Sequence, residues 1–189
     1  EEDGFGNFPN ISLRGGDGTR SEKVTLMEDG ILTAPAAYSA PSAYYSPRAG
    51  RMSGIEVLKG SSQIKYGPHT TGGVVNFLST EIPSEETFYT RNTYGTYNTL
   101  LSQSYYGDTV QTATGTFGYL LELFHHSSDG FRDIDAGGGL PRSNNTGFTL
   151  TEPLLKLFWE PDTPLRQRFE FKSGYSVFNS DYSILGLTA

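Results

Sequence analysis

The chain has 189 residues and a net charge of −7, with 23 glycines, 12 tyrosines, 12 phenylalanines and no cysteine. The acidic balance argues against a nucleic-acid surface, which needs a basic stripe, and the lack of cysteine removes disulfides, thiolate metal sites and a cysteine nucleophile. No run approaches the roughly 18 apolar residues of a membrane-spanning helix. Nor is there a basic amphipathic stretch of the kind that lies on a membrane surface. Crossing by β-strands stays open, because alternating strands give weak hydropathy. Glycine and aromatic residues at this level suit many short strands and turns. The chain begins at Glu1 without a basic, apolar leader, and is read as processed or as a fragment.

Residues 1–9 are acidic and glycine-rich and are expected to form an entering loop. Ile11–Arg14 is expected as a brief strand, and Gly15-Gly16-Asp17-Gly18 as a surface turn, since no Lys-Ser/Thr follows to make a phosphate loop. Lys23–Glu28 alternates as a half-buried strand should, and Asp29-Gly30 closes it with hairpin chemistry. Thr33–Arg48 carries three prolines and three tyrosines, which exclude a continuous helix or a central strand. Ile55–Leu58 is a short β run that stops at Lys59-Gly60, and Ser61–Lys65 is about one turn of helix or loop. Tyr66-Gly67-Pro68 breaks the chain again, and Gly72-Gly73 leads into a strand, Val74–Leu78. Two strands with this tight connection predict a compact α+β unit.

The texture changes after Pro83. Segments of about ten residues read as strands at roughly 86–94, 98–107, 116–126, 150–160 and 167–178. In Arg168–Phe178, Phe169, Phe171, Tyr175 and Val177 share one face, opposite Arg168, Glu170, Lys172, Gly174 and Ser176. Leu155, Leu157 and Trp159 likewise oppose Lys156, Phe158 and Glu160, and Phe117, Tyr119, Leu121 and Leu123 oppose Gly118 and Glu122. Period two with this contrast means one apolar and one wet face. The connection Asp108–Gly115 reads as a rather long turn, and Ser127–Thr149 as a long polar loop.

The order Ile55-Glu56-Val57-Leu58-Lys59-Gly60, Tyr66-Gly67, Gly72-Gly73-Val74-Val75-Asn76 resembles the plug domain of TonB-dependent outer-membrane receptors. Asn10–Gly15 and Leu26–Ile31 extend the likeness upstream. The spacing from Tyr66 to Phe77, and Tyr182–Thr188 near the end, look most like the ferric citrate receptor branch. The resemblance implies a mainly β chain with an α+β plug, residues 1–83 being the C-terminal part of the plug. Residues 84–189 would be the first five or so antiparallel strands of a large transmembrane barrel. Plugged transporters have about 22 strands, so the chain is expected to be a fragment. The connections Asp108–Gly115 and Pro161–Gln167 would then be periplasmic and Ser127–Thr149 extracellular.

The same resemblance implies the partners: a ferric chelate or siderophore, outer-membrane lipid, and TonB of the inner-membrane energy-transducing complex, whose contact segment is not in this chain. No nucleic acid is implied. No cofactor is expected, because iron travels inside its external chelator. The place is the outer membrane of a Gram-negative-type bacterium. Thr33–Arg48 becomes an apical plug loop, in which Tyr38, Ser39, Ser42, Tyr44 and Tyr45 are candidate ligand contacts. An anionic chelate also needs cationic donors, for which Arg20 in the plug and Arg132 in the long loop are the candidates. Ala40 and Ser42 stand where a citrate receptor would place amides, which ranks an anionic chelate above citrate itself.

Plug arginines of the family face barrel carboxylates. Arg14 matches one such position, while Arg51 lies further back than the second, with Gly54 directly before Ile55. Glu56 and Lys59, which abut the same strand, complete the candidate plug–barrel ion pairs. There is no G-x-S-x-G elbow, and Glu85-Glu86 sits at a segment junction, so no enzyme activity is expected. His125 and His126 are adjacent in a strand and point to opposite faces, which prevents joint chelation. Two alternatives remain: the same architecture with cobalamin, a nickel chelate or an oligosaccharide as cargo, and a soluble β-rich binding or adhesion module.

Overall fold

The computed structural model describes residues 7–13, 24–33, 45–60, 66, 72–131 and 146–181. The chain divides into two units, Glu1–Thr80 and Glu81–Ala189. Among the described residues the regular structure is strand, apart from one 3-10 turn, Ala49–Arg51. Ser61–Lys65, the expected helical turn, lies outside them.

The N-terminal unit is a four-stranded sheet. Its strands are β1 (Val24–Glu28), β2 (Ile31–Leu32), β3 (Met52–Leu58) and β4 (Gly73–Ser79), in the order β2-β1-β4-β3. β1 and β4 are parallel; β1–β2 and β3–β4 are antiparallel. The expected hairpin forms, with Asp29 at φ 49° and Gly30 at φ 79°. Both central φ values are positive, as a type I′ turn requires. Val24, Leu26, Val75 and Phe77 make the core, against which Ile11, Leu13 and Met52 pack.

Two expectations are corrected in this unit. Residues 24–28 are buried throughout, not half-buried: Val24 and Leu26 join the hydrophobic core on one face, and Thr25 and Met27 on the other are buried as well. Ile11–Leu13 forms no strand: Ile11 and Leu13 bring apolar side chains to the core without joining the sheet. Apolar residues two apart reveal a shared direction and not a hydrogen-bonded neighbour. The glycine before Val74 has a clear physical reason. Gly73 sits at φ 144°, and a β-carbon there would lie 3.0 Å from the Leu58 carbonyl oxygen.

The second unit is an antiparallel sheet of long strands. β5 (Thr87–Tyr94), β6 (Leu100–Thr112), β7 (Gly115–Ser128) and β8 (Phe148–Pro161) pair in sequence, and β9 (Phe169–Gly174) and β10 (Val177–Ser180) both pair with β8. β6 continues to Thr112 and β7 begins at Gly115, so the long turn expected over Asp108–Gly115 is a tight hairpin through Ala113-Thr114. Asp108 and Thr109 read as turn residues, yet each keeps its place in the ladder, facing Tyr119 and Gly118.

The expected fifth strand, 167–178, is interrupted for a specific reason. Leu154 faces Gly174 and Thr151 faces Val177, so the register runs unchanged across the gap and leaves Pro153 opposite Tyr175. The Tyr175 N–H still reaches the Pro153 carbonyl at 3.1 Å. Proline has no N–H to return the bond, and the ladder lapses for two residues. β9 and β10 are one strand with a missing rung.

The register also sorts the faces. Phe117, Tyr119, Leu121 and Leu123 on β7 share a face with Leu155, Leu157 and Trp159 on β8 and Phe169 and Phe171 on β9. Leu121 and Phe171 are each 55% exposed, whereas Leu120 and Phe124, on the opposite face, are at most 1% exposed. Gln103, Glu122 and Glu152 are buried on that opposite face too. The outward face is apolar and the inward face is mixed and polar.

Gly115 should be irreplaceable. Its φ is 143°, and a β-carbon would run into the Glu160 carbonyl oxygen on β8. Gly115→Ala is expected to destabilise the refolded protein by about 1–3 kcal/mol. Gly95→Ala, whose β-carbon would have its nearest neighbour 3.9 Å away, should stay within about 0.5 kcal/mol. Denaturant titration of the two variants measures the difference; equal shifts would contradict the steric account.

Candidate functional site

Arg14, Arg20, Tyr38, Ser39, Ser42, Tyr44 and Arg132 lie outside the described residues. Tyr45, Arg51, Glu56 and Lys59 lie within them. Three of these four fall into two polar clusters of the N-terminal unit, and Lys59 is exposed just beyond β3.

The first cluster forms where β1 ends. Arg51, the last residue of the 3-10 turn, is 4% exposed and donates through Nη2 to both oxygens of Glu28, at 3.0 and 2.8 Å. The Tyr45 hydroxyl donates to Glu28 Oε2 at 2.7 Å and accepts from Arg51 Nη2. Glu28 is itself buried at the last position of a central strand. A charge in such a place is tolerable only when paired and hydrogen-bonded. Among the described residues, Arg51 thus meets a carboxylate of its own unit, and the hydroxyl of Tyr45, a candidate ligand contact, is engaged with it.

The second cluster crosses β1, β4 and β3. Gly30 N–H donates to Asn76 Oδ1 at 2.9 Å, and Asn76 Nδ2 donates to Glu56 Oε2, also at 2.9 Å. The asparagine after Val74-Val75 thus links the hairpin turn to the outer strand. Asp29 accepts from the Ser79 amide at 2.9 Å, tying the same turn to the end of β4. Arg48 was not singled out in the sequence. It is buried, donates through Nη1 to the Asn7 carbonyl, and sits 5.0 Å above the Phe8 ring.

In the second unit, the inward face carries a ladder of polar bonds. Arg91 Nη2 donates to Gln103 Oε1 at 3.1 Å, Gln103 Nε2 to Glu122 Oε1 at 3.0 Å, and Ser176 Oγ to Glu152 Oε1 at 2.8 Å. Lys156 and Lys172 face each other across β8 and β9 on the same side. The two histidines separate as expected. His125 Nδ1 bonds Thr151 Oγ1 at 3.0 Å, and the His126 ring meets Phe148 edge-on at 4.8 Å.

Comparison with known proteins bears on the fold. The family described as TonB-dependent Receptor Plug Domain matches residues 1–74. A mutant ferric enterobactin receptor of Pseudomonas aeruginosa, solved in complex with enterobactin, superposes with a TM-score of 0.52 at 19% identity, over 93% of this chain and 30% of that one. The siderophore receptor of the same organism gives 0.50 at 18%, over 95% and 32%. The unliganded ferric citrate transporter gives 0.46 at 19%, over 91% and 33%, a superposition too loose to bear on the citrate branch. The fold is thus a plug domain of the TonB-dependent receptor type followed by the first strands of a barrel. The chain spans about 30% of the length of the enterobactin receptor it matches.

Glu28→Gln would leave Arg51 buried without its countercharge, an expected loss of about 3–5 kcal/mol. Tyr45→Phe removes two hydrogen bonds, to Glu28 and from Arg51, at a half-exposed ring, and should cost about 1–3 kcal/mol. Denaturant titration that reports on the N-terminal unit compares the two; a cost for Glu28→Gln no larger than for Tyr45→Phe would contradict the buried-pair account.

Proposed function

We propose that this chain is part of an outer-membrane receptor that imports a ferric chelate by a TonB-dependent route, binding and translocating its cargo without chemical change. The observation that carries the reading is the combination of a plug-type sheet with long antiparallel strands whose outward face is apolar and whose inward face is mixed, with Gln103, Glu122 and Glu152 beside Leu120 and Phe124. A soluble sandwich buries its apolar strand faces, whereas a membrane barrel turns them to lipid and keeps the polar side for the lumen. Phe171 and Leu121 then meet hydrocarbon, and Gln103, Glu122 and Lys172 face the interior.

In this reading, Arg20, Tyr38, Ser39, Ser42 and Tyr44 of the plug and Arg132 of the long outer loop grip the chelate. Energy passed by TonB from the inner membrane displaces the plug. The cargo is an anionic ferric siderophore, citrate or a relative. An anion is favoured because arginines suit carboxylate and catecholate oxygens.

Two experiments test the reading. In the full-length protein folded into bilayers, Phe171→Arg should lower stability by roughly 2–4 kcal/mol, the cost of a lipid-facing arginine near the midplane. Lys172→Ala should do much less, and equal effects in a denaturant titration would count against the lipid assignment. For the cargo, full-length Arg20→Ala is titrated with ferric citrate and with a neutral ferric hydroxamate. Loss of affinity for the anion alone is expected, and an equal change for both would sink the anionic-chelate proposal.

A further inference from the structure

Residues 45–51 carry two buried arginines, Arg48 and Arg51, and give them different tasks. From its two ends, Tyr45 and Arg51 hold the carboxylate of Glu28, the last residue of β1. Between them, Arg48 holds a separate piece of chain, binding the Asn7 carbonyl and lying over the Phe8 ring. The segment is embedded, not draped: Ser46 is 1% exposed, and Arg48 and Arg51 are 7% and 4%. It is also stiff. Pro47 fixes its own φ, and the Arg51 N–H closes the 3-10 turn on the Arg48 carbonyl at 3.0 Å.

We propose that residues 45–51 act as a strap that couples the Glu28 end of β1 to the retention of the N-terminal segment at Asn7–Phe8. Tyr45 touches neither Asn7 nor Phe8 through the bonds described above; its influence on them runs through the strap. Losing the Tyr45 hydroxyl breaks its bonds with both Glu28 and Arg51 and loosens the first residue of the strap. Arg48 sits three residues on, beyond Pro47 and before the closed turn, so displacement of Tyr45 is passed to the guanidinium instead of being absorbed by a flexible backbone. The physical content is a segment with two arrangements, seated and lifted, whose equilibrium is biased from both ends. In the seated state Arg48 retains the N-terminal segment; in the lifted state that segment is released. Tyr45, Arg48 and Arg51 are positioning residues. The use of this coupling to report a bound chelate toward the N-terminus rests on the receptor reading, whereas the coupling itself does not.

Amide hydrogen exchange on the full-length protein in detergent micelles tests the strap. Arg48→Met should raise exchange over residues 7–13 by about tenfold, the effect of losing a charge-assisted bond that limits local opening. The decisive variant is Tyr45→Phe, which removes one hydroxyl. It should raise exchange over residues 7–13 by about threefold or more while Val74–Leu78 of β4 exchanges at the wild-type rate. Wild-type exchange over residues 7–13 in Tyr45→Phe would overturn the proposal. So would a rise shared by β4, which would mean general loosening of the unit. Should Arg48→Met fail to fold, Tyr45→Phe alone decides. The receptor reading fails on a separate result, a wild-type protein that stays in the aqueous phase when partitioned against detergent, whatever the exchange pattern.

Discussion

The unbroken backbone pairing of β6, β7 and β8 is the constraint on which the C-terminal unit depends. β7 pairs along its whole length on both sides, from Gly115 to Ser128. A strand has period two, so one fixed register assigns every side chain to a face, and a slip of one residue would invert them all. With this register, Leu121 and Leu123 turn outward and Leu120, Glu122 and Phe124 turn inward. On the proposed receptor reading the outward face meets lipid, which accepts such an arrangement because the backbone groups are already satisfied within the sheet and need no water. The edges at β5 and at β9–β10 are where further strands would complete the pairing.

The N-terminal unit solves a different problem. Its two central strands are parallel, nearly all of their residues are buried, and their ends must dispose of charged and polar groups without exposing them. Each group is given a partner from another element: Glu28 from the 45–51 segment, Asp29 from the end of β4, and Gly30 from Asn76. The residues that make the plug motif recognisable, Gly73 and Asn76 among them, are those that backbone crowding and turn bonding require.

Much of this was legible in the sequence. The alternation of Phe169, Phe171 and Lys172, or of Leu155, Leu157 and Lys156, named the faces correctly because side-chain period is a local property. The Asp29-Gly30 hairpin was legible for the same reason. What escaped was set by distant partners. Pro153 looked like an ordinary strand residue, and only its position opposite Tyr175 makes its missing N–H break the next strand. Asp108 and Thr109 carry turn chemistry but are held in the ladder by β7. Glu28 read as the polar end of a short run, with nothing nearby in sequence to show that Arg51 would bury it. Arg48 gave no signal at all, since its partners lie about forty positions upstream in Asn7 and Phe8. Of the candidate ligand contacts, Tyr45 alone falls among the described residues, and its hydroxyl is part of the Glu28 cluster.

The central claim is that the face bearing Leu121 lies in a bilayer. The most direct measurement places a nitroxide at Leu121→Cys, and separately at Leu120→Cys, in the full-length protein folded into lipid vesicles, and compares collision with oxygen and with a water-soluble nickel chelate. The account predicts that the label at 121 collides with oxygen and is shielded from nickel, while the label at 120 is shielded from the lipid phase. A label at 121 that is open to nickel would mean that this face meets water, and would contradict the account.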